Sequence, residues 1–302
     1  MRAFLTGGNG FVGGHLRDHL VASGDRDVTP VDRVDITDEA AVTAALRGAN
    51  PDVIYHLAAR TSVAASLSDA TAVMRTNVVG TQTLLDVAST VVPEATVVVV
   101  SSSEVYGLVA SEDQPTSELH PSAPRNPYAS SKVEVERVAH AAAHRGQRIV
   151  IARPFTHVGP GQSTTFVVPA LVQRLLNARA AGADTIVVGN LAARRDLSDV
   201  RDVVRAYRLL ALLGDTGEIY NVASGHDLAL EDVASELRDL IHPGCTFTVD
   251  PALLRPLDVP VTRGDATKLH DTTGWEPRIG LGQTLRDTIE FLVSRFSPDE
   301  SR

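Results

Sequence analysis

Cysteine is almost missing from this 302-residue chain: Cys245 stands alone. A single cysteine excludes an internal disulfide framework and a multi-cysteine zinc site, suits a reducing cytoplasm, and reads most simply as a small buried hydrophobe. Lysine is as scarce. Of the 28 Lys and Arg residues only Lys132 and Lys268 are lysines, so a position that needed nothing but positive charge would carry Arg here. Cations as a whole are short, with a formal net charge of −9. That argues against a nucleic-acid backbone or an anionic membrane as partner, while leaving room for a local basic pocket around a phosphorylated small molecule. No apolar run is long enough to span a bilayer, and residues 1–5 lead straight into a folded motif, without the basic and apolar regions of a signal peptide. No metal is expected, and the expected location is the cytoplasm. Hydrophobic content of 43% and charged content of 22% suit a soluble globular protein long enough to bury a large core.

What the chain does have begins at its first residues. A short buried strand over 2–5 runs into Thr6-Gly7-Gly8-Asn9-Gly10-Phe11-Val12-Gly13-Gly14, followed by an amphipathic helix over 11–22. Gly7, Gly10 and Gly13 allow a tight turn, close backbone approach to a pyrophosphate, and close packing of helix on strand, with the phosphates at the helix N-terminus. Asn9, Phe11 and Val12 ride on the same turn. A second strand, 27–31, ends at Asp32-Arg33: the acid can accept from an adenosine ribose, while the arginine would welcome a 2′-phosphate. Asp32 favours NAD(H), and NADP(H) stays open. Asp35, ahead of a helix over 38–47, could reach the adenine edge or simply close a turn.

A third strand over 52–57 delivers Leu57, Ala58 and Ala59, small enough at 58 and 59 for a cofactor to lie close. One long helix over 66–90 carries Asn77. Val97–Val100 reads as a buried parallel strand, bringing Ser101-Ser102-Ser103-Glu104 to the carboxyl edge of the sheet, where ligands bind in open α/β sheets. After a Pro- and Ser-rich loop comes Asn126-Pro127-Tyr128-Ala129-Ser130-Ser131-Lys132. On a helix starting near Pro127, Tyr128 and Lys132 share a face, and a cation beside the phenol would lower its pKa and suit it to acid/base work. A strand over 147–152 then leads to Arg153-Pro154-Phe155-Thr156-His157.

Strands alternating with helices, with no internal repeats or low-complexity linkers, imply right-handed crossovers and one parallel sheet. The expected fold is α/β: a Rossmann-type doubly wound parallel sheet over residues 1–160, with later segments returning to it, and a smaller C-terminal α/β substrate-binding lobe over 161–302. Helices are expected at 165–181, 199–213, 229–241 and 281–296, and short strands at 185–188 and 218–222. In the lobe Arg194, Arg195, Arg201 and Arg255 are candidates for gripping a diphosphate.

The spaced glycines, Asn77, Ser102, Tyr128 with Lys132, and the Arg153-Pro154 segment, in this order, resemble the extended short-chain dehydrogenase/reductase family of nucleotide-sugar enzymes, over essentially the whole chain. Segments around Val188–Asp202, Tyr220–Gly225, Leu254–Pro260 and Thr273–Arg278 resemble the branch that reduces the 4-keto group of a GDP-4-keto-6-deoxyhexose. The resemblance implies an NAD(P)-dependent oxidoreductase of deoxysugar biosynthesis, acting on a GDP-linked nucleotide-diphosphate sugar, and a homodimer built through the helices near 76–90 and 128–144. It implies Ser102, Tyr128, Lys132 and Glu104 as catalytic. Asn77, Tyr128 and Lys132 join the cofactor contacts. The substrate falls to Ser62, Ser102, Ser103, Glu104, Thr156, Val168, Asn190, Arg195, Arg255 and Asp258. Thr156 departs from the family's usual Asn. The loop between the second and third strands is shorter than usual. Glu104 stands where dehydratases of this scaffold carry a glutamate, which keeps a nucleotide-sugar 4,6-dehydratase or a 4-epimerase open. A non-catalytic dinucleotide sensor is a further alternative.

Overall fold

The computed structural model describes residues 1–31, 34–253 and 259–296. Its centre is a six-stranded parallel sheet of β1 (Arg2–Thr6), β2 (Arg26–Val31), β3 (Val53–His56), β4 (Thr96–Val100), β5 (Ile149–Pro154) and β9 (Ile219–Val222), in the order β2-β1-β3-β4-β5-β9. The inner strands β1, β3, β4 and β5 are mostly apolar because both faces are covered, while the edge strand β2 reads Arg-Asp-Val-Thr-Pro-Val. Ala3, Leu5, Val53, Tyr55, Val98, Val150 and Ala152 point to one face, where they meet α1 (Phe11–Ala22) and α8 (Val200–Leu213). Their neighbours Phe4, Ile54, Val97, Val99, Ile149 and Ile151 point to the other, against α2 (Glu39–Ala49), α5 (Gly80–Val91) and α6 (Pro127–His144). The two-residue period of a strand thus divides one sheet between two cores.

The single helix expected over 66–90 is broken. α3 (Val63–Ser68) ends before Asp69, whose carboxylate accepts from Ala72 N at 3.0 Å and caps α4 (Ala70–Met74). A π-helical turn over Arg75–Val79 follows before α5 begins. Gly80 at that junction makes room for Ile36, whose Cδ1 lies 2.5 Å from where a Cβ would stand.

Beyond Val158 the chain builds a second layer. β6 (Thr156–Val158), β8 (Arg194–Asp199), β10 (Asp227–Ala229) and β12 (Val261–Thr262) form a small mixed sheet, and β7 (Thr185–Val188) pairs in parallel with β11 (Thr246–Val249). α7 (Val167–Ala181), α9 (Leu230–Ile241) and α11 (Leu281–Phe296) enclose its core, which includes Leu171, Leu175, Leu237 and the buried Cys245. β6, β8, β10, β11 and β12 were not anticipated; β8 reads Arg-Arg-Asp-Leu-Ser-Asp and carries no apolar alternation to betray it. The strand expected at 218–222 joins the main sheet as β9 instead of the smaller lobe, and α8 and α10 (Thr267–Thr273) return with it, placing Tyr207 and Trp275 in the first core. Among the described residues no helix is long and apolar enough to cross a membrane.

Candidate active site

β1 stops at Thr6 because the next residue, Gly7, takes φ +69° and turns the chain back over the sheet edge. A Cβ on Gly7 would stand 3.0 Å from Ala58 N, and one on Gly13 only 2.3 Å from the Gly7 carbonyl oxygen, so turn, β3 exit and helix meet backbone to backbone. Gly8 is needed too, because a Cβ there would meet Pro30 Cβ at 2.6 Å. Sequence reasoning passed over Gly8, since its constraint comes from the neighbouring strand. α1 begins at Gly10 without any side-chain cap, which leaves the first backbone N–H groups of a 12-residue helix for an anion. Asn9 and Gly10 are exposed at the tip, with Phe11 and Val12 half-buried behind them. The cradle fits a dinucleotide pyrophosphate. Leu57, Ala58 and Ala59 leave β3 beside it, with Ala58 N donating to Thr6 Oγ1 at 3.1 Å. Asp35 accepts from the amide and hydroxyl of Thr37 at 2.9 and 2.7 Å; these bonds hold its carboxyl below the usual range and make it a turn residue. Asp32 and Arg33 lie outside the described residues.

Across the sheet edge, Asn126 caps α6 by accepting from Ala129 N at 2.8 Å, and Pro127 occupies the first helical position, where a missing N–H costs nothing. This start puts Tyr128 in the first turn and Lys132 one turn later. Both are buried, as is Ser102 at the end of β4, whose hydroxyl accepts from Glu104 N at 3.2 Å. Burial pushes the Tyr128 phenol up to about 12; the interaction with Ser102 works the other way, and the negative charge of Glu104 adds to the rise. The net shift is upward, opposite to the lowering expected from Lys132. The Lys132 ammonium donates to the Val100 carbonyl at 2.7 Å, and burial draws its pKa down to about 8, opposed by the charge of Glu136.

Glu136 is the third residue of the Tyr128, Lys132 face, again four positions on. It receives the guanidinium of Arg153 at 2.8 and 2.7 Å and the hydroxyl of Ser101, an ion pair with its side chains 5% and 6% exposed. Sequence reasoning missed this pair, though the four-residue spacing was the available signal. Asn77 sits in the π turn and is buried; it accepts from Arg60 N at 2.8 Å and donates to Arg60 O and to Ser131 Oγ at 3.2 and 2.9 Å. Its carboxamide holds the β3 exit to α6.

The expected substrate residues divide. Ser103 is half-buried next to Ser102, and Glu104 is exposed and bonded to Asn126 Nδ2 at 3.2 Å. Ser62 and Thr156 are exposed, the latter at the start of β6. Asn190 is half-buried and accepts from Ala192 N at 3.0 Å, closing the turn into β8. Arg195 donates to the carbonyls of Arg194 and Val259 at 2.8 and 2.7 Å. Val168, by contrast, is 2% exposed in the lobe's apolar core, so its side chain is committed to packing. Two of the arginines considered for a diphosphate are neutralised within the fold: Arg194 pairs with Asp227, and Arg201 with Asp199 and Asp287. Arg255 and Asp258 lie outside the described residues.

A glycine turn at the carboxyl edge of a doubly wound sheet, with a buried Ser just beyond β4 and a buried Tyr and Lys on α6, defines a dinucleotide-dependent oxidoreductase of the short-chain kind. Residues 29–288 match the family model for GDP-mannose 4,6 dehydratase. The chain is 35% identical to GDP-6-deoxy-D-mannose reductase of Pseudomonas aeruginosa, over 97% of this chain and 98% of that protein. It is 29% identical to dTDP-glucose 4,6-dehydratase of Streptomyces niveus, over 96% and 92%. The solved structure of RMD from Pseudomonas aeruginosa complexed with NADPH superposes with a TM-score of 0.90 at 32% identity, over 98% of this chain and all of that one. The chain belongs to this family, a branch of the extended short-chain dehydrogenases/reductases, enzymes that bind a nicotinamide dinucleotide.

Proposed function

We propose that the chain reduces the 4-keto group of GDP-4-keto-6-deoxy-D-mannose to give GDP-D-rhamnose at the expense of NADH or NADPH. The observation that carries the reading is the buried Tyr128 in the first turn of α6, with Ser102 buried beside it, joined to a near full-length likeness to GDP-6-deoxy-D-mannose reductase. The glycine turn and the free N–H groups of α1 would hold the pyrophosphate, with Asn77 keeping the β3 exit and α6 in place. When bound, the reduced nicotinamide supplies the hydride for the carbonyl carbon. Ser102 would hydrogen-bond the C4 oxygen and polarise the carbonyl, and Tyr128 would deliver its proton to that oxygen as negative charge develops. Lys132, kept charged by Glu136, would stabilise the phenolate left behind.

Residues 1–160, with the returning segments, would serve the dinucleotide, and the remainder the nucleotide sugar, Ser103, Thr156, Asn190 and Arg195 among its contacts. The same reading makes the protein a cytoplasmic homodimer through α5 and α6, which light scattering would test.

A second reading, a nucleotide-sugar 4,6-dehydratase, draws on Glu104, whose charge reaches Tyr128 and which could serve as the additional acid/base that elimination requires. Absorbance at 340 nm with GDP-4-keto-6-deoxy-D-mannose and NADH or NADPH in parallel separates the two. Stoichiometric loss of reduced cofactor with formation of a GDP-6-deoxyhexose supports the reductase. No loss, with GDP-mannose converted without added cofactor, overturns it in favour of the dehydratase.

A further inference from the structure

We infer that His56 is a positioning residue that ties the dinucleotide turn to the helix bearing Tyr128, through a chain of buried hydrogen bonds able to run in one direction only. His56 closes β3 and is 4% exposed. Its Nδ1 lies 2.8 Å from Thr6 Oγ1, immediately before Gly7, and its Nε2 lies 2.8 Å from Thr81 Oγ1 on α5. Thr81 has a single hydroxyl proton, which it gives to the Asn77 carbonyl at 2.5 Å, and a carbonyl cannot give one back. Thr81 must therefore accept from His56, which puts the imidazole proton on Nε2.

The other end follows. A neutral ring protonated at Nε2 has a bare Nδ1, which must accept the Thr6 hydroxyl proton, while Thr6 Oγ1 in turn accepts from Ala58 N at 3.1 Å. Beyond Thr81, Asn77 passes the connection on: its Nδ2 donates to Ser131 Oγ at 2.9 Å, and Ser131 donates to the carbonyl of Tyr128 itself at 2.7 Å. Each hydroxyl proton and the ring proton has one recipient. The path links the last residue of β1, the end of β3, the π turn, α5 and the first turn of α6, and a cationic His56 would break it at Thr6. Burial, with the positive charge of Lys132 nearby, holds the imidazole neutral, down to about 3.

The reason for a histidine here is geometric. The ring offers an acceptor and a donor on opposite sides at fixed spacing, which no aliphatic side chain does, and rigid two-sided bonding holds the turn and α6 in one relative placement. The importance of that placement for turnover rests on Tyr128 being the proton donor; the hydrogen-bond directions do not.

Long-range 1H–15N spectra of the histidine rings in the unaltered full-length protein, with His56→Gln used to assign the signal, read the tautomer directly. His56 is expected to stay neutral with its proton on Nε2 between about pH 5 and pH 8. In parallel, NADH and NADPH fluorescence titrations should show His56→Phe weakening the better-bound dinucleotide at least about tenfold. His56→Gln, whose amide reaches the Nε2 position and keeps the bond to Thr81, should recover most of that affinity. A proton on Nδ1, titration of His56 within that range, unchanged affinity in folded His56→Phe, or a Gln variant no better than Phe would each overturn the inference. The ring spectrum needs no Phe variant, so it decides the matter even where that variant fails to fold. Failure to reduce a keto sugar would remove the proposed function and leave these results standing.

Discussion

The Lys132 ammonium lies 6.0 Å from the centre of the Tyr128 ring and gives its hydrogen bond to the Val100 carbonyl, 2.7 Å away. Desolvation therefore governs both groups in this arrangement, the phenol rising to about 12 and the amine falling to about 8. A phenol that keeps its proton at neutral pH is suited to the reductive direction, in which the ketone oxygen must be protonated.

Tyr128→Phe removes that proton and little else, since the ring remains in its buried place. Turnover of the keto sugar should fall at least about a hundredfold while NAD(P)H affinity stays within a few-fold of the parent. Steady-state kinetics beside a fluorescence titration check it; near-normal turnover would remove Tyr128 from the chemistry.

Lys132 should leave a signature in stability. Its pKa falls from the ordinary lysine value of 10.5 to about 8 in the fold. Between these values the unfolded chain binds more protons than the folded one, so this group makes stability rise with pH from about 8 to about 10.5, and below that window the buried ammonium is a cost. At about 1.4 kcal/mol per pKa unit the cost at neutral pH is at most roughly 3 to 4 kcal/mol. Lys132→Met should melt higher than the parent at pH 7, lose that advantage by about pH 10, and lose turnover throughout. Melting curves across pH in the absence of dinucleotide test the sign; a variant that melts lower at pH 7 and not at pH 10 would reverse it.

Two neighbouring glycines should behave oppositely. A Cβ at Gly13 would sit 2.3 Å from the Gly7 oxygen and 2.7 Å from Gly8, all backbone, whereas Gly14 has nothing within 4 Å. Gly13→Ala should lower the melting temperature and abolish NAD(P)H binding. Gly14→Ala should bind normally and gain up to about 1 kcal/mol from helix propensity. Thermal melts and dinucleotide titrations of the pair suffice, and equal behaviour would mean that the turn is not packed as described.

Glu136→Gln strands the buried Arg153 guanidinium, which has the Tyr106 ring 4.8 Å away but, among the described residues, no second carboxylate to pair with, and it also weakens the bond from Ser101. Losing one partner of a buried ion pair typically costs about 3–5 kcal/mol, whereas replacing both by apolar residues costs much less. In urea, Glu136→Gln should therefore unfold well before the parent, and Glu136→Leu combined with Arg153→Met should recover most of the difference. A double variant as unstable as the single one would show that the pair does more than neutralise itself.

Much of this was legible before any coordinates. The central strands announced themselves as short β-branched runs, and Asn126-Pro127 marked the start of α6 through capping and a pre-set φ. The glycine turn was legible because its flanking strand and helix are local. The edges of the reading failed for physical reasons. β8 is mostly polar, yet three of its polar residues are buried: Asp196 accepts from Ser224 N and Oγ, Gly225 N and Gly264 N, and Asp199 from Arg201 and Thr284, while Ser198 is enclosed beside them. Hydropathy cannot announce a strand whose interior is made of two bonded carboxylates and an enclosed serine. The break at Asp69 went unread although Asp is a favoured helix cap, and the π turn that carries Asn77 has no distinctive composition. Arg194 looked available because its carboxylate partner, Asp227, is far off in sequence; Arg201 pairs with Asp199 two residues back as well as with the distant Asp287, and a two-residue spacing does not announce an ion pair.

Sequence by itself determined the glycine turn between β1 and α1, the alternation that makes a parallel sheet, and the sharing of one helix face by Tyr128 and Lys132. These follow from strand and helix periods that act over a few residues. Only the tertiary structure decided where the Lys132 charge is spent, that Asn77 is consumed between Arg60 and Ser131, that Ile219–Val222 completes the first sheet, and that His56 spans Thr6 and Thr81. Those outcomes depend on which distant groups are desolvated together, and desolvation is a property of packing that no local spacing encodes.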